Sequence, residues 1–532
     1  MEENFNAMEN MEVEGETLTP KRSRKNYIIF GILGIIVIAA IVIILYFVLR
    51  DKDDDKDDDI GEFSFRAIYE INEVNKNIKL MNDEYKDNII KMKINKEKIS
   101  GCTNYTFKSP GNYTVYVVLN TTNISSLALF NNSENLAEIY FSKEFKLNDI
   151  TSLDNLFHNC INLLSADISN LNFEKIISMD SMFSNCFSLK TIKFPNSTTP
   201  NLESMELMFV NCNNLASIDI TKFNTEKVYN MLGLFFGCNL LTSIDLSNLD
   251  TKNVVNMESM FGDCYSLTLL NLSKFDTRNV VNMTNMFQDC VSLKSLDLSN
   301  FNTENVENMA ALFYGCENLE FINLSSFNTS KIDSMLSMFY ECSSLTSLDL
   351  SNFNTSKVNN MRYTFIGCHS LEYIDLSNFD TKNVETMELM FGECNSLKSI
   401  DLSKFNTEKV ETMYGMFYSC SSLTSIDVSQ FKTDSLSNMD FLFEECNSLK
   451  TVDLSNFNTE KVENMTEVFL NCNNLTYIDI SNFSNNTINF INLFEGVAPN
   501  GTIKINKDIE NRLNISDSWT IIYSDSRKLF KN

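Results

Sequence analysis

Thirteen cysteines recur every 26 residues without a slip: Cys160, Cys186, Cys212, Cys238, Cys264, Cys290, Cys316, Cys342, Cys368, Cys394, Cys420, Cys446 and Cys472. Thiols at a fixed period could form disulfides, gather a metal or fill a core. Stacked strands lie about 4.8 Å apart and a disulfide needs Cα atoms about 4.4–6.8 Å apart, so distance permits bridges between neighbours. Equivalent side chains in a stack point in parallel, however, and an odd-numbered ladder cannot pair throughout. Zinc needs about four ligands converging on one point, which one thiol per repeat does not supply. We read the ladder as buried thiols acting as small apolar fillers. Thiol titration of native and denatured protein separates that reading from disulfides. Cys102, outside the period, has no assigned role.

A second column carries carboxylates. Asp219, Asp245, Asp297, Asp349, Asp375, Asp401, Asp427, Asp453 and Asp479 occupy equivalent outward positions, interrupted by Asn271 and Asn323. A serine follows two residues later in most copies, from Ser247 to Ser481. Like charges about 5 Å apart repel by near 1 kcal/mol per pair in water. Calcium bridging Asp oxygens and Ser hydroxyls would relieve this. Asp–Ser and Asp–backbone hydrogen bonds with solvent screening would also do so, and that second account is preferred. The preferred account needs no cofactor, and calcium is the one cofactor the other would bring.

The residue two before each Asp varies. Leu269, Phe321, Tyr373 and Tyr477 stand where other copies have Ser243, Ser295, Ser347 and Ser399. Variation on a regular scaffold is where a repeat protein recognises a partner, so these four are candidate ligand contacts. Scatter on a neutral surface is the competing account. Catalytic material is scarce. The two histidines, His158 and His369, lie about eight repeats apart by residue count, and no Ser-His-Asp set, Gly-rich phosphate loop or metal-ligand spacing occurs. The chain reads as a non-enzyme.

These columns demand elements that stack in register. A fixed period of this length marks a solenoid. Twelve complete units share C-x-x-L-x-x-I/L-D/N-L-S-x-F-x-T-x-x-V-x-x-M-x-x-M-F-x-x between Cys160 and Cys472, with degenerate ones before and after. In Ser243–Ser247, Ile244 and Leu246 point one way and Ser243, Asp245 and Ser247 the other, which is strand spacing. Val254, Met257, Met260, Phe261 and Cys264 then recur at three- and four-residue steps, which predicts a short helix. Asn256 is its candidate N-cap. The expected fold is an α/β solenoid at residues 134–497, with parallel strands on one face and short helices on the other.

Flanking segments complete the organisation. Residues 61–133 predict a small β-domain that covers the first coil, with strands at Phe63–Ile71, Asn88–Ile94, Tyr105–Lys108 and Tyr113–Leu119. Residues 498–532 predict a C-terminal cap containing strands at Gly501–Ile505 and Trp519–Tyr523, anchored by Trp519. Tyr27–Leu49 carries no charge, and as a helix spans about 34 Å against a hydrocarbon core of roughly 30 Å. It predicts an uncleaved transmembrane helix. Residues 1–26 read as a disordered acidic tail, and 50–60 as a solvated Asp/Lys stalk. Four basic residues before the span against three after it lean towards a cytoplasmic N-terminus, giving a type II single-pass protein of the cell membrane. With Lys+Arg 43 against Asp+Glu 70, the net charge is −27, which excludes nucleic acid and anionic lipid as natural partners. Asn104, Asn112, Asn120, Asn271 and Asn323 lie in Asn-x-Ser/Thr sequons and are candidate glycosylation sites.

The run L-x-x-I/L-x-L-S-x-F, followed by M-F-x-x-C, resembles the BspA-like leucine-rich repeats of bacterial and protist surface proteins. The resemblance covers about residues 136–497. It departs from standard leucine-rich repeats in placing Phe275, Phe301 and Phe353 where an Asn ladder usually sits. What it implies is a curved solenoid at the cell surface, associated with adhesion to host or matrix proteins, and without catalytic residues. The expected function is adhesion or protein recognition through a protein or glycan partner. A structural or antigenic coat without a specific ligand is the alternative.

Overall fold

The computed structural model describes residues 63–486 and 490–524. The acidic tail, the apolar span 27–49 and the stalk lie outside the described residues. Among the described residues no helix is long and apolar enough to cross a membrane.

The N-terminal part contains β1 (Phe65–Ile71), β2 (Asn77–Lys79), β3 (Ile89–Ile94), β4 (Glu97–Ile99), β5 (Asn104–Thr106) and β6 (Gly111–Leu119). All four strands expected there form. Next come β7 (Leu136–Phe141), β8 (Ser165–Asp167) and β9 (Thr191–Lys193), and one sheet runs β4-β3-β6-β1-β7-β8-β9. β1 pairs antiparallel with β7, and from β7 onward the ladder is parallel. The β-rich region is thus joined edge to edge to the strand ladder of the first coils. Phe65 also closes the end of the coil interior, its ring edge-on to Phe130 at 5.1 Å.

Further along, the strand face continues through β10 (Ser295–Asp297), β11 (Phe321–Asn323), β12 (Ser347–Leu348), β13 (Tyr373–Ile374), β14 (Thr451–Asp453) and β15 (Tyr477–Ile480). It ends in β16 (Thr502–Ile505) and β17 (Thr520–Tyr523), a parallel extension that covers the last coil. Trp519 anchors this cap, its indole N–H donating to the Ala498 carbonyl at 2.8 Å. Its ring lies so close to Gly501 that a Cβ there would come within 2.7 Å of it.

The expected helices are absent. The described residues contain no α-helix and two short 3-10 helices, Asp83–Asn88 and Lys507–Arg512. The coil beginning at Cys238 shows why. Met257–Met260 and Phe261–Cys264 are tandem turns, closed by Met260 N–H to the Met257 carbonyl at 3.2 Å and Cys264 N–H to the Phe261 carbonyl at 3.3 Å. The third residue of each has positive φ, Ser259 at 53° and Asp263 at 56°, the mark of a type II turn. Alternate amides therefore point along the stack. Met257, Ser259, Phe261 and Asp263 donate to the carbonyls of Asn282, Thr284, Met286 and Gln288 in the next coil, at 2.8–3.0 Å. Asn256 is a member of a second parallel column, bridged to Asn230 and Asn282, and not a helix cap. The fold is a β-solenoid whose second face is a turn-folded ladder.

Side-chain columns fill the interior. Phenylalanines from Phe130 to Phe494 stack coil on coil; Phe287, Phe313 and Phe339 have ring centroids 5.7 and 5.5 Å apart. The Phe at the position of the usual Asn ladder is a second, wider stack, with Phe275 and Phe301 at 6.5 Å. The Asn function persists one residue earlier: Asn300 donates to the carbonyls of Leu272 and Phe275, each at 3.0 Å.

Candidate functional site

The cysteine ladder is wholly internal. All fourteen cysteines are free thiols, and the thirteen of the ladder are buried. The Cys264 thiol donates to the Phe235 carbonyl, which also accepts the Cys238 amide, so each carbonyl uses both lone pairs. Burial pushes the ladder thiols up, Cys316 and Cys420 to about 12, so they stay protonated at neutral pH. Burial also raises the Cys102 thiol, but that residue is partly open, so, the thiolate being the nucleophile, iodoacetamide at pH 8 is expected to alkylate native protein slowly and at Cys102 alone. All fourteen should react after denaturation without reductant, counted by intact mass. Fewer adducts would reveal disulfides.

The aspartates form Asx turns. The Asp245 carboxylate accepts the Ser247 amide at 3.0 Å, and the same bond recurs at Asp297, Asp349, Asp375, Asp401, Asp427, Asp453 and Asp479. Asp219 accepts both amide and hydroxyl of Thr221. Hydrogen bonds from Ser351 hold the Asp349 carboxyl below its usual value, so it stays ionised. Lysines bracket the column: Lys193 reaches Asp167 at 3.0 Å, and Lys504 reaches buried Asp479 at 2.7 Å. Among the described residues no three His, Cys, Asp or Glu side chains converge on a metal-sized point.

Leu269, Phe321 and Tyr373 project from the strand face, 68%, 59% and 61% exposed. They stand on alternate coils. Ser243 bridges to Leu269, Ser295 pairs with Phe321, and Ser347 pairs with Tyr373. Large apolar side chains are therefore separated by serine notches, at a spacing of about 10 Å for two strand steps. Tyr477 does not join them. It is half-buried, between Thr451 and the Thr502 of the cap.

The sequon residues are dispersed. Asn112 and Asn120 lie on the β-rich region, and the Asn104 amide nitrogen already donates to Asp83 at 2.8 Å. Asn271 and Asn323 accept the amides of Ser273 and Ser325, like the aspartates they replace. The His369 ring nitrogen lies 2.9 Å from the Glu393 carbonyl oxygen and 2.7 Å from Asn395 Oδ1. His158, near the opposite end, has a buried ring nitrogen without a partner.

One concavity on the turn face had no counterpart in the motif reading. Tyr414, Tyr418 and Phe441 face Glu393 and Glu444 there. Tyr414, Tyr418, Phe441 and Glu444 stand at positions that vary widely from copy to copy, so the period conceals them. The available signal was local: two tyrosines four apart in one copy, followed by a Phe and a Glu in the next.

A family described as "Mycoplasma protein of unknown function, DUF285" matches residues 122–239, 203–322, 307–425 and 393–511. No curated protein matches. Among solved structures, one titled as a TLR13–ssRNA13 complex is similar at 16% identity and a TM-score of 0.24, over 71% of this chain and 53% of that one. The chain thus spans about half that protein's length. A leucine-rich repeat protein from Eubacterium ventriosum is similar at 15% identity and a TM-score of 0.29, over 70% of this chain and 92% of that one.

Proposed function

The chain belongs to the DUF285 family of repeat proteins, and from that premise we propose that it is a recognition solenoid that binds a protein or glycan partner through its exposed strand face. The observation that carries this reading is the row of Leu269, Phe321 and Tyr373 on alternate coils. Three large side chains, each more than half exposed on one face, offer a partner apolar contacts at regular spacing. Aromatic side chains are also the usual anchors of an interface. The serine notches give the partner hydrogen bonds between the anchors. The reading includes adhesion at the cell surface in the manner of BspA-like proteins, with the repeats displayed outward from the 27–49 span. It needs no catalytic step and no cofactor.

The test is a triple substitution, Leu269→Ser, Phe321→Ser and Tyr373→Ser, which makes every notch alike. All three sites are exposed, so the melting temperature should hold. Saturable binding to host cells or matrix, read by surface plasmon resonance or flow cytometry, should fall at least tenfold. Saturable binding that survives the triple change would remove the strand face as the site. No saturable binding by the unmodified chain would favour an inert coat.

A further inference from the structure

The turn face carries a cavity of about 270 Å³ whose lining joins aromatic and acidic side chains. Leu389, Gly415 and Phe441 occupy one column in successive coils, all with positive φ, of 50°, 53° and 60°. Gly415 contributes no side chain, and Leu389 leans across it, with Cδ2 2.6 Å from where a Cβ would sit. Phe441 stands on the far side, its ring edge-on to Tyr414 at 5.1 Å and 76°. Tyr418 adds a third aromatic wall, and Glu393 and Glu444 complete the lining. All of these side chains are half-buried.

The electrostatics are one-sided. None of the lining residues is basic. The Tyr418 hydroxyl is held above its usual value by burial and then by Glu445, Glu444 and Glu393. Glu444 is pushed up to about 7 by burial and then by the neighbouring charges of Glu467 and Glu445. A positive guest would relieve this repulsion. The walls select which one. A small divalent ion needs several converging oxygen ligands, and among the described residues no three His, Cys, Asp or Glu side chains converge on such a point. Three aromatic side chains beside carboxylates suit a large, weakly hydrated cation that offers no N–H groups.

We propose that this cavity binds a quaternary ammonium group, as carried by choline or trimethyllysine. The chain supplies its own comparison. Leu207 leans over Gly233 in the same way, with Cδ2 2.7 Å from the position of a Cβ. The residues equivalent to Tyr414, Tyr418, Phe441 and Glu444 in that part of the solenoid are Leu232, Phe236, Ser259 and Gly262. The backbone notch therefore recurs without this lining. The other tyrosine cluster on the turn face, Tyr314, Tyr340 and Tyr363, already holds a cation, with Arg362 over the Tyr363 ring at 4.6 Å.

Isothermal titration calorimetry on the full chain, in a maltoside detergent without ammonium groups, tests this. Tetramethylammonium, choline and free trimethyllysine are the probes, with ammonium and sodium at matched ionic strength as controls. Saturable heat is expected for the methylated cations and none for the controls. The order of choline and trimethyllysine identifies which source fits the rim, and equal affinities would mean that the methylated head alone is read. Phe441→Gly suits the positive φ at that position, so the fold should persist while affinity drops at least tenfold. Glu444→Gln should weaken binding similarly and decides the matter if the glycine variant does not fold. Phe321→Ser, on the strand face, should leave affinity unchanged, which keeps this site separate from the proposed partner surface. Absence of saturable heat with every methylated cation, or unchanged affinity in both Phe441→Gly and Glu444→Gln, overturns the proposal.

Discussion

Replacing Phe313 with alanine is expected to cost about 3–5 kcal/mol and to split a single unfolding transition into two. Phe313 is fully buried, stacked on Phe287 and Phe339. Removing the ring leaves a void that the coils cannot close, because inter-coil hydrogen bonds fix their spacing. The Phe313 amide donates to the Met338 carbonyl at 3.0 Å, and its carbonyl accepts the Cys342 thiol. In a solenoid each coil contacts only its neighbours, so stability is a sum of coil and interface terms. A central defect weakens two interfaces and uncouples the two halves. The single tryptophan, Trp519, sits in the C-terminal cap and reports that half alone, whereas circular dichroism reports the whole. Urea unfolding followed by both signals should coincide in the unmodified protein and separate in Phe313→Ala. Phe494→Ala should cost less, since Phe494 is half-buried and ends the stack, with Phe469 at 6.0 Å as its ring neighbour. Coincident transitions and a loss under about 1 kcal/mol in Phe313→Ala would mean that the ring stack contributes little.

The same local physics explains what could be read from the residues and what could not. The period placed the columns correctly because a solenoid forces equivalent positions to stack, whatever the backbone does between them. Ile244 and Leu246 alternate with Asp245, and only a strand does that over so short a run. The misreading arose at Val254, Met257, Met260, Phe261 and Cys264. Steps of three and four residues mark one face of a helix, but two turns closed by i to i+3 bonds present the same residues inward. The deciding signal was the column through Asn185, Asn211, Gly237, Asp263, Asp289 and Gly315, all with positive φ. Those are the residue types that tolerate the left-handed region. The companion column hides its conformation, since Leu207, Tyr363 and Leu389 adopt positive φ where no propensity would place them. On the strand face, exposure of Leu269, Phe321 and Tyr373 followed from alternation, whereas the partial burial of Tyr477 depends on β16, which joins outside the repeat. The turn-face cavity left only a local trace in the sequence, because it depends on the missing side chain at Gly415, flanked by Tyr414 and Tyr418 on its own coil and Phe441 on the next.

Thr381→Val tests the column that ties coil to coil. Thr381 is 1% exposed, and its hydroxyl donates to the Asn406 carbonyl at 2.9 Å while accepting the Asn406 amide at 2.7 Å. One hydroxyl thus satisfies both backbone groups of a residue in the next coil. Equivalent pairs at Thr355 and Thr407 reach Asp380 and Lys432. Valine keeps the volume and the β-branch but orphans an amide and a carbonyl away from water, at about 1–3 kcal/mol each. The expected loss is therefore about 2–6 kcal/mol, although no apolar contact is removed. Serine keeps the hydroxyl and loses one methyl, so Thr381→Ser should cost about 1 kcal/mol or less. Hydrogen exchange gives the discriminating measurement: the Asn406 amide should lose protection in Thr381→Val and keep it in Thr381→Ser. If valine proved as stable as threonine with the Asn406 amide still protected, the hydroxyl would be idle. Coil-to-coil cohesion would then rest on the buried rings, the inter-coil backbone bonds and the bonds from the Cys and Asn columns.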